Sequence, residues 1–466
     1  MFRSLTIGRA QCTFAAISTC TLFAVSVHAE RALTSDEVAR HATLTSPSAE
    51  EKRQEVEAAR AQFDKTFTDF FPRATFSASY TRLSKVDNPS LGNVVVAPGA
   101  AAGPIDAAQP LVAAPLGFES LQNQTVFSSS LSVPLSDYVL RLVQARQASG
   151  AQLGAAEQSL KGTLRKTAYD ARALYYDWVQ SELERSVAQQ NLDLGHEHLA
   201  RMQALASADS ASEADVARVE ATVASSELLL EQAKNLAQLQ RQRLRITMHD
   251  SGASDYAIGE DLSIVPGAAL GTDDLEALTR HALVNRPELK ALALQTQGYE
   301  KQVTVARSRA FPRLDLTAQS QIANPNSRYF PQEDKFHSSW QVGIQLSYSP
   351  FDTASASADA AAARAKARAS GAQEKELLDA VRTEVTDAVL SHRNAVAGLT
   401  SSAKRVQAAE TSYRARYQLF LADKATTVEL TEAQTELFNA RLDDARAKVA
   451  IRLARVRLAY VTGEEH

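Results

Sequence analysis

Cysteine is all but missing from this chain. Its 466 residues hold two, Cys12 and Cys20, and both fall within the first 29. That segment reads as a secretory leader. Arg3 and Arg9 give it a positive start, an apolar stretch runs from about Thr13 to Val27, and Val27-His28-Ala29 offers a cleavage site. The chain expected after cleavage has no thiol, which excludes disulfide staples and fits an exported bacterial envelope protein that needs none. Acylation of Cys20 would require small residues before it, and Ile17-Ser18-Thr19 is a poor approach. Aromatics are scarce as well, at 6% against 45% hydrophobic residues in all. Alanine is abundant instead, which favours long helices with thin, close-packed seams over a bulky core. After the leader no run reaches about eighteen apolar residues, so no spanning helix is expected. Basic charge is not in excess; a formal net charge of −4 argues against nucleic acid as a partner. A phosphate-binding glycine loop with lysine and a dinucleotide fingerprint are both lacking. His196-Glu197-His198 could suggest a metal, but residues two apart on a helix do not share a face. No enzyme activity, cofactor or metal is expected.

What is present is alternation. Leu314, Leu316, Ala318 and Ile322 share one face with Ser320, while Asp315, Thr317, Gln319 and Gln321 share the other. Trp340, Val342, Ile344, Leu346 and Tyr348 alternate with Gln341, Gly343, Gln345 and Ser347. Two earlier runs do the same around Phe76 to Tyr80 and Phe127 to Leu135. Period-two alternation reads as strands with one apolar face, here at about 74–83, 125–135, 313–322 and 339–349. A half-buried sheet in a soluble sandwich would alternate in the same way. The lengths also suit tilted strands that cross a bilayer, with the polar face lining a wet lumen.

The chain is also duplicated. Phe71-Pro72-Arg73 and Phe311-Pro312-Arg313 each break a helix and start a strand. Asp209 to Val216 parallels Asp423 to Leu430. The organisation expected is a leader over 1–29, a first repeat over 30–246, a linker over 247–274 and a second repeat over 275–466. Each repeat runs helix, strand, loop, strand, helix, turn, helix. In the first, helix is expected only from Ala49 on, and the loop between strands, 85–124, is unusually long. The paired helices carry heptad seams: Val216, Val219, Val223, Ser226, Leu230, Ala233, Ala237, Gln240 and Leu244 in one, and Leu430, Ala433, Leu437, Ala440, Asp444, Ala447, Ile451, Ala454 and Leu458 in the other. The helix ending at Leu421 would be roughly 100 Å long at 1.5 Å per residue. Four strands cannot close a barrel, and open edges cannot face lipid. If the strands cross a membrane, several chains must share one barrel.

The chain resembles the TolC-like outer-membrane efflux proteins. The resemblance rests on the duplicated layout, Asn285-Arg286-Pro287-Glu288-Leu289, the two Phe-Pro-Arg strand starts, Arg416-Tyr417 leading to Thr426, Glu429-Leu430 and Ala433-Gln434, and Ala211 to Val216 in the first half. It implies a membrane β-barrel joined to a long α-helical coiled-coil barrel: a homotrimer with a twelve-stranded barrel in the outer-membrane lipid and a helical tunnel through the periplasm. Its implied partners are a periplasmic adaptor and an inner-membrane transporter, and its implied function is the exit duct of an efflux system for small molecules. A duct for protein secretion, or a soluble periplasmic coiled-coil adaptor, are the other readings. By motif position Glu429 and Glu432 match the family's acidic constriction and Asp215 an acid that holds the tip closed. Asp209, Ser212, Asp423 and Thr426 match the tip turns where the adaptor docks. Clustered carboxylates there would favour cations. Two departures stand out: Asp209 and Asp423 replace the usual glycine, and Ala425 falls where the family has a basic gate residue, with Lys424 only adjacent to it.

Overall fold

A computed structural model of the chain describes residues 31–86, 92–96, 103–104, 108, 110–115, 121–250, 255–263 and 274–464. The leader with both cysteines, half of the expected linker and half of loop 85–124 lie outside these residues. In chain order the elements are β1 (Arg31–Leu33), α1 (Ser35–Thr45), α2 (Pro47–Thr68), β2 (Arg73–Arg82), β3 (Asn93–Val96), β4 (Val112–Pro115), β5 (Asn123–Pro134), α3 (Leu135–Asp137), a π-helical turn at Tyr138–Leu142, α4 (Val143–Ser207), α5 (Glu213–Thr247), β6 (Tyr256–Ile258), α6 (Leu275–Asn285), α7 (Pro287–Ser308), β7 (Arg313–Asn324), β8 (His337–Ser347), α8 (Pro350–Leu421) and α9 (Thr427–Thr462).

Helix begins earlier than the expected Ala49. Thr34 caps α1 in a capping box: its hydroxyl accepts from the Glu37 N–H, and the Glu37 carboxylate accepts from the Thr34 N–H. Val38, Ala39 and Ala42 then bury one face of that helix, which packs on α4. Pro47 and Pro287 each sit at the first turn of a helix, where a missing N–H costs nothing. The helices before β2 and β7 both end just ahead of a Phe-Pro step, since proline cannot continue the ladder.

The four alternating runs form one antiparallel sheet in the order β2-β5-β7-β8. Its register puts Phe76, Phe127, Leu316 and Ile344 on one face, with Ser77, Ser128, Gln321 and Ser339 on the other. The sheet does not close on itself; β2 and β8 are open edges. Trp340, Val342, Ile344 and Leu346 are all exposed along β8.

Below the sheet the helices form a wall. Next to the strands its order is α2-α4-α7-α8; farther away it is α5-α4-α9-α8. The 65-residue α4 and 72-residue α8 run through both parts. Where the parts meet, Tyr175, Trp178, Leu33, Leu244, Met248 and Tyr256 form an aromatic core. Here β1 pairs with β6, in the segment expected as linker, and the Tyr175 hydroxyl donates to the Leu33 carbonyl at 2.9 Å. None of the helices is long and apolar enough to cross a membrane, among the described residues.

The two hairpin helices bury different surfaces. In α5 the buried residues are Val219, Val223, Ser226, Leu230, Ala237 and Leu244, all from the expected seam. In α9 Leu430, Leu437, Ala440, Ile451, Ala454 and Leu458 are buried as expected, but Ala433, Asp444 and Ala447 are only partly so. Gln434, Val449 and Arg452 are buried in addition. The reason is position: α9 lies between α8 and α4, so one stripe cannot serve it, whereas α5 has a helix on one side only.

Candidate functional site

The tips of the two helical hairpins hold the candidate residues Asp209, Ser212, Asp215, Asp423, Thr426, Glu429 and Glu432. Each turn is set by one aspartate in the left-handed region, Asp209 and Asp423, both at φ 55°. Aspartate visits that region more readily than most residues, so the turn survives without glycine. The backbone hydrogen bonds are the same in both. Asp209 and Ser210 donate to Ala206 and Leu205, and Asp423 and Lys424 donate to Phe420 and Leu419. The next helix is then capped by Ser212 in the first turn and Thr426 in the second.

The side chains differ. The Ser212 hydroxyl accepts from the Asp215 N–H and donates to Asp215 Oδ2 at 2.6 Å. Thr426 makes a full capping box, because the longer Glu429 reaches back to the Thr426 N–H at 2.9 Å. Its other oxygen takes Arg416 Nη1 from α8 at 2.7 Å. The Thr426 N–H, then the Arg416 guanidinium, hold the Glu429 carboxyl below the usual carboxylate range. Glu429 is therefore occupied. Glu432, one turn along α9, is exposed and makes no ion pair among the described residues. The structure thus separates the two acids expected to act together. Arg416 belongs to a motif noted in the sequence, but its role was not legible there: it lies thirteen residues before Glu429, and only the hairpin brings them together.

Ala425, where a basic residue was expected, joins a small apolar cluster between the hairpins with Met202, Val219, Phe420 and Leu430. Lys424 is exposed. His198 is buried beside this cluster, edge-on to Phe420 with ring centres 5.5 Å apart. Its Nε2 has no hydrogen-bond partner, and burial pushes its pKa down. His196 is exposed, so the two histidines do not converge. Higher on the hairpins Gln434 donates to Asn191, and Arg446 pairs with Glu184, tying α9 to α4.

Residues 278–464 match the family model described as outer membrane efflux protein. No curated protein sequence matches. Among solved structures, the outer-membrane channel OprN aligns with a TM-score of 0.75 at 20% identity, over 92% of this chain and 90% of that one. The CmeC outer membrane channel of Campylobacter jejuni aligns with a TM-score of 0.72 at 14% identity, over 99% and 94%. The MtrE outer membrane channel of Neisseria gonorrhoeae, in its open state, gives 0.73 at 15%, over 92% and 89%. The chain is similar to outer-membrane efflux channels, in sequence over its second half and in fold over nearly its whole length. Its described residues hold no candidate metal cluster.

Proposed function

We propose that this chain is the outer-membrane exit duct of a tripartite efflux system, working as a homotrimer with a twelve-stranded barrel. The observation that carries the reading is a pair of open edges repeated at every level. The sheet ends at β2 and β8, the wall beneath it at α2 and α8, and the lower wall at α5 and α8. A strand edge within lipid must be paired, and the free edge of a second copy supplies the pairing. The α5 edge carries Leu228, Leu229, Leu236 and Leu239, all exposed, which suits burial against the α8 of a neighbour. On this reading the exposed apolar sheet face meets lipid, and the polar face and the helices enclose a channel for passive export of small molecules.

The tips form the periplasmic end. Asp209, Ser212, Asp423 and Thr426 present the turns to a periplasmic adaptor, which links the duct to an inner-membrane transporter. Asp215, Glu429 and Glu432 ring the constriction and give it a preference for cations. Because Arg416 already engages Glu429, Glu432 carries most of that preference. Electron microscopy of the mature chain purified in detergent tests the whole reading. A threefold particle with a short barrel and a long tapering tube is expected; a monomeric elongated hairpin would overturn it.

A further inference from the structure

Both Phe-Pro-Arg steps end in an arginine that neither the fold nor the tips explain. Arg73 and Arg313 are the first residues of β2 and β7, at the helix end of the sheet. Strand parity puts each on the polar face, Arg73 in line with Ser77 and Arg313 in line with Asp315. Arg313 Nε lies 3.1 Å from Asp315 Oδ1. Arg73 is exposed and has no ion pair among the described residues.

The rest of that face is nearly free of charge. Beyond this first rung its strands bear hydroxyls, amides and small apolar residues as far as His337 at the other end of β8, and the Arg328 guanidinium reaches them from the turn between β7 and β8, donating to Gln341 Oε1 at 2.7 Å. The hydroxyls and amides bond to one another: Ser77 to Ser128 at 2.7 Å, and Gln341 Nε2 to Gln319 Oε1 at 2.7 Å. The helix ends just below carry matched pairs, Asp137 with Arg141 and Arg309 with Asp359. Asp69 and Asp352 stand on those helix ends, off the strands. The polar face therefore begins with two guanidiniums against one carboxylate, and its strands bear no further carboxylate beyond them.

We infer that Arg73 and Arg313, offset by Asp315, form the charge filter of the barrel, a net positive ring at the mouth of a sleeve whose strands bear no further carboxylate on the polar face, and that this ring favours anionic solutes. The inference rests on the trimeric duct proposed above. Its physical basis is that a ring of one sign at a narrow, low-dielectric opening raises the local concentration of counter-ions, and that nothing on the face above it offsets the ring. The duct would then carry opposite preferences at its two narrow places, cationic at the tips and anionic at the barrel.

The test is single-channel recording of the full mature protein in a planar bilayer under a potassium chloride gradient. Arg73→Gln combined with Arg313→Gln should move the reversal potential toward the cation side. The chloride-to-potassium permeability ratio should fall roughly sevenfold, since a loss of about one kT of potential lowers the local anion concentration about e-fold and raises that of the cation about e-fold. Asp315→Asn should move it the opposite way, which keeps the test open should the double variant fail to insert. Trp340→Phe, on the apolar face, should leave it unchanged. Conducting variants whose reversal potential matches that of the parent protein would overturn the inference and leave the duct standing. Failure of the parent protein to conduct at all would overturn the duct reading, and this inference with it.

Discussion

The two hairpin tips share a backbone, and their acids after the cap, Asp215 and Glu429, differ in one methylene. Both turn on a left-handed aspartate and both cap the next helix with a hydroxyl residue. In the first, Asp215 reaches the Ser212 hydroxyl and no farther. In the second, Glu429 reaches the Thr426 backbone and Arg416 on the facing helix as well. The lesson is that turn geometry and acid chemistry are set separately. The residue at positive φ and the cap decide the chain path, while side-chain length decides whether the carboxylate is consumed by the cap or left for the solvent. Position in the wall adds a second contrast. The second hairpin is packed on two sides by α9, and the first exposes the outer side of α5.

That contrast can be broken most forcefully in the seams. Leu430 is buried, whereas Val216, its counterpart in the first repeat, is only half-buried. Leu430→Ala should cost about 2–4 kcal/mol, and Val216→Ala about 1 kcal/mol or less. The thermal midpoint of each variant checks the order; equal costs would mean that the two hairpins are packed alike. The caps come next. Thr426→Ala should cost about 1 kcal/mol and Ser212→Ala about half that, within the range for lost N-caps. Hydrogen exchange at residues 427–430 against 213–216 reads the difference locally.

Acidification sharpens the same comparison. The His198 pKa is pushed down by burial, so its neutral form stabilises the fold above the ordinary histidine pKa of about 6.5. Below that value the unfolded chain takes up the proton first, and stability falls with pH until the folded pKa is reached. His198→Leu should therefore flatten the loss of stability on going below about pH 6.5. Only at lower pH does Glu429 contribute. Its depressed pKa gives stability present above the unfolded value of about 4.3 and lost as pH falls through the folded one. Tip protection in Glu429→Gln should thus be less sensitive to acid than in the parent. The smallest effect on stability is expected for Glu432→Gln, which breaks no contact seen in the structure. It should nevertheless reduce cation preference in single-channel recording more than Glu429→Gln does, and the double change should reduce it further. A larger effect from Glu429 would show that the Arg416 pair opens in the working channel.

Much of this architecture is legible in the residues. The polar and apolar faces of the sheet follow from alternation alone, because side chains on a strand can point only two ways. Every residue that α5 buries lies in its expected seam, since a helix packed on one side has one stripe to bury, although Val216, Ala233 and Gln240 of that seam are only partly buried. The α9 seam was only partly readable: burial of Gln434, Val449 and Arg452 comes from a second neighbour that no single heptad encodes. Helix α1 was missed although its signal is present, in Thr34 and Glu37 spaced as a capping box ahead of Val38. The β1–β6 pairing left no local signal, being two three-residue strands more than two hundred positions apart.

The sequence by itself determined the periodicities, the duplication, the places where helix gives way to strand, and the identity of the acids at each turn. Those depend on local rules: φ limits, capping chemistry and the repeat lengths of helix and strand. Only the tertiary structure decided which acid is free. Arg416 meets Glu429 because α8 and α9 fold back on each other, and Glu432 is exposed with no ion pair among the described residues. It also decided that one chain leaves open edges at both sheet and wall. Whether an edge is covered depends on which elements lie beside it, and neighbours in space are what local periodicity cannot specify.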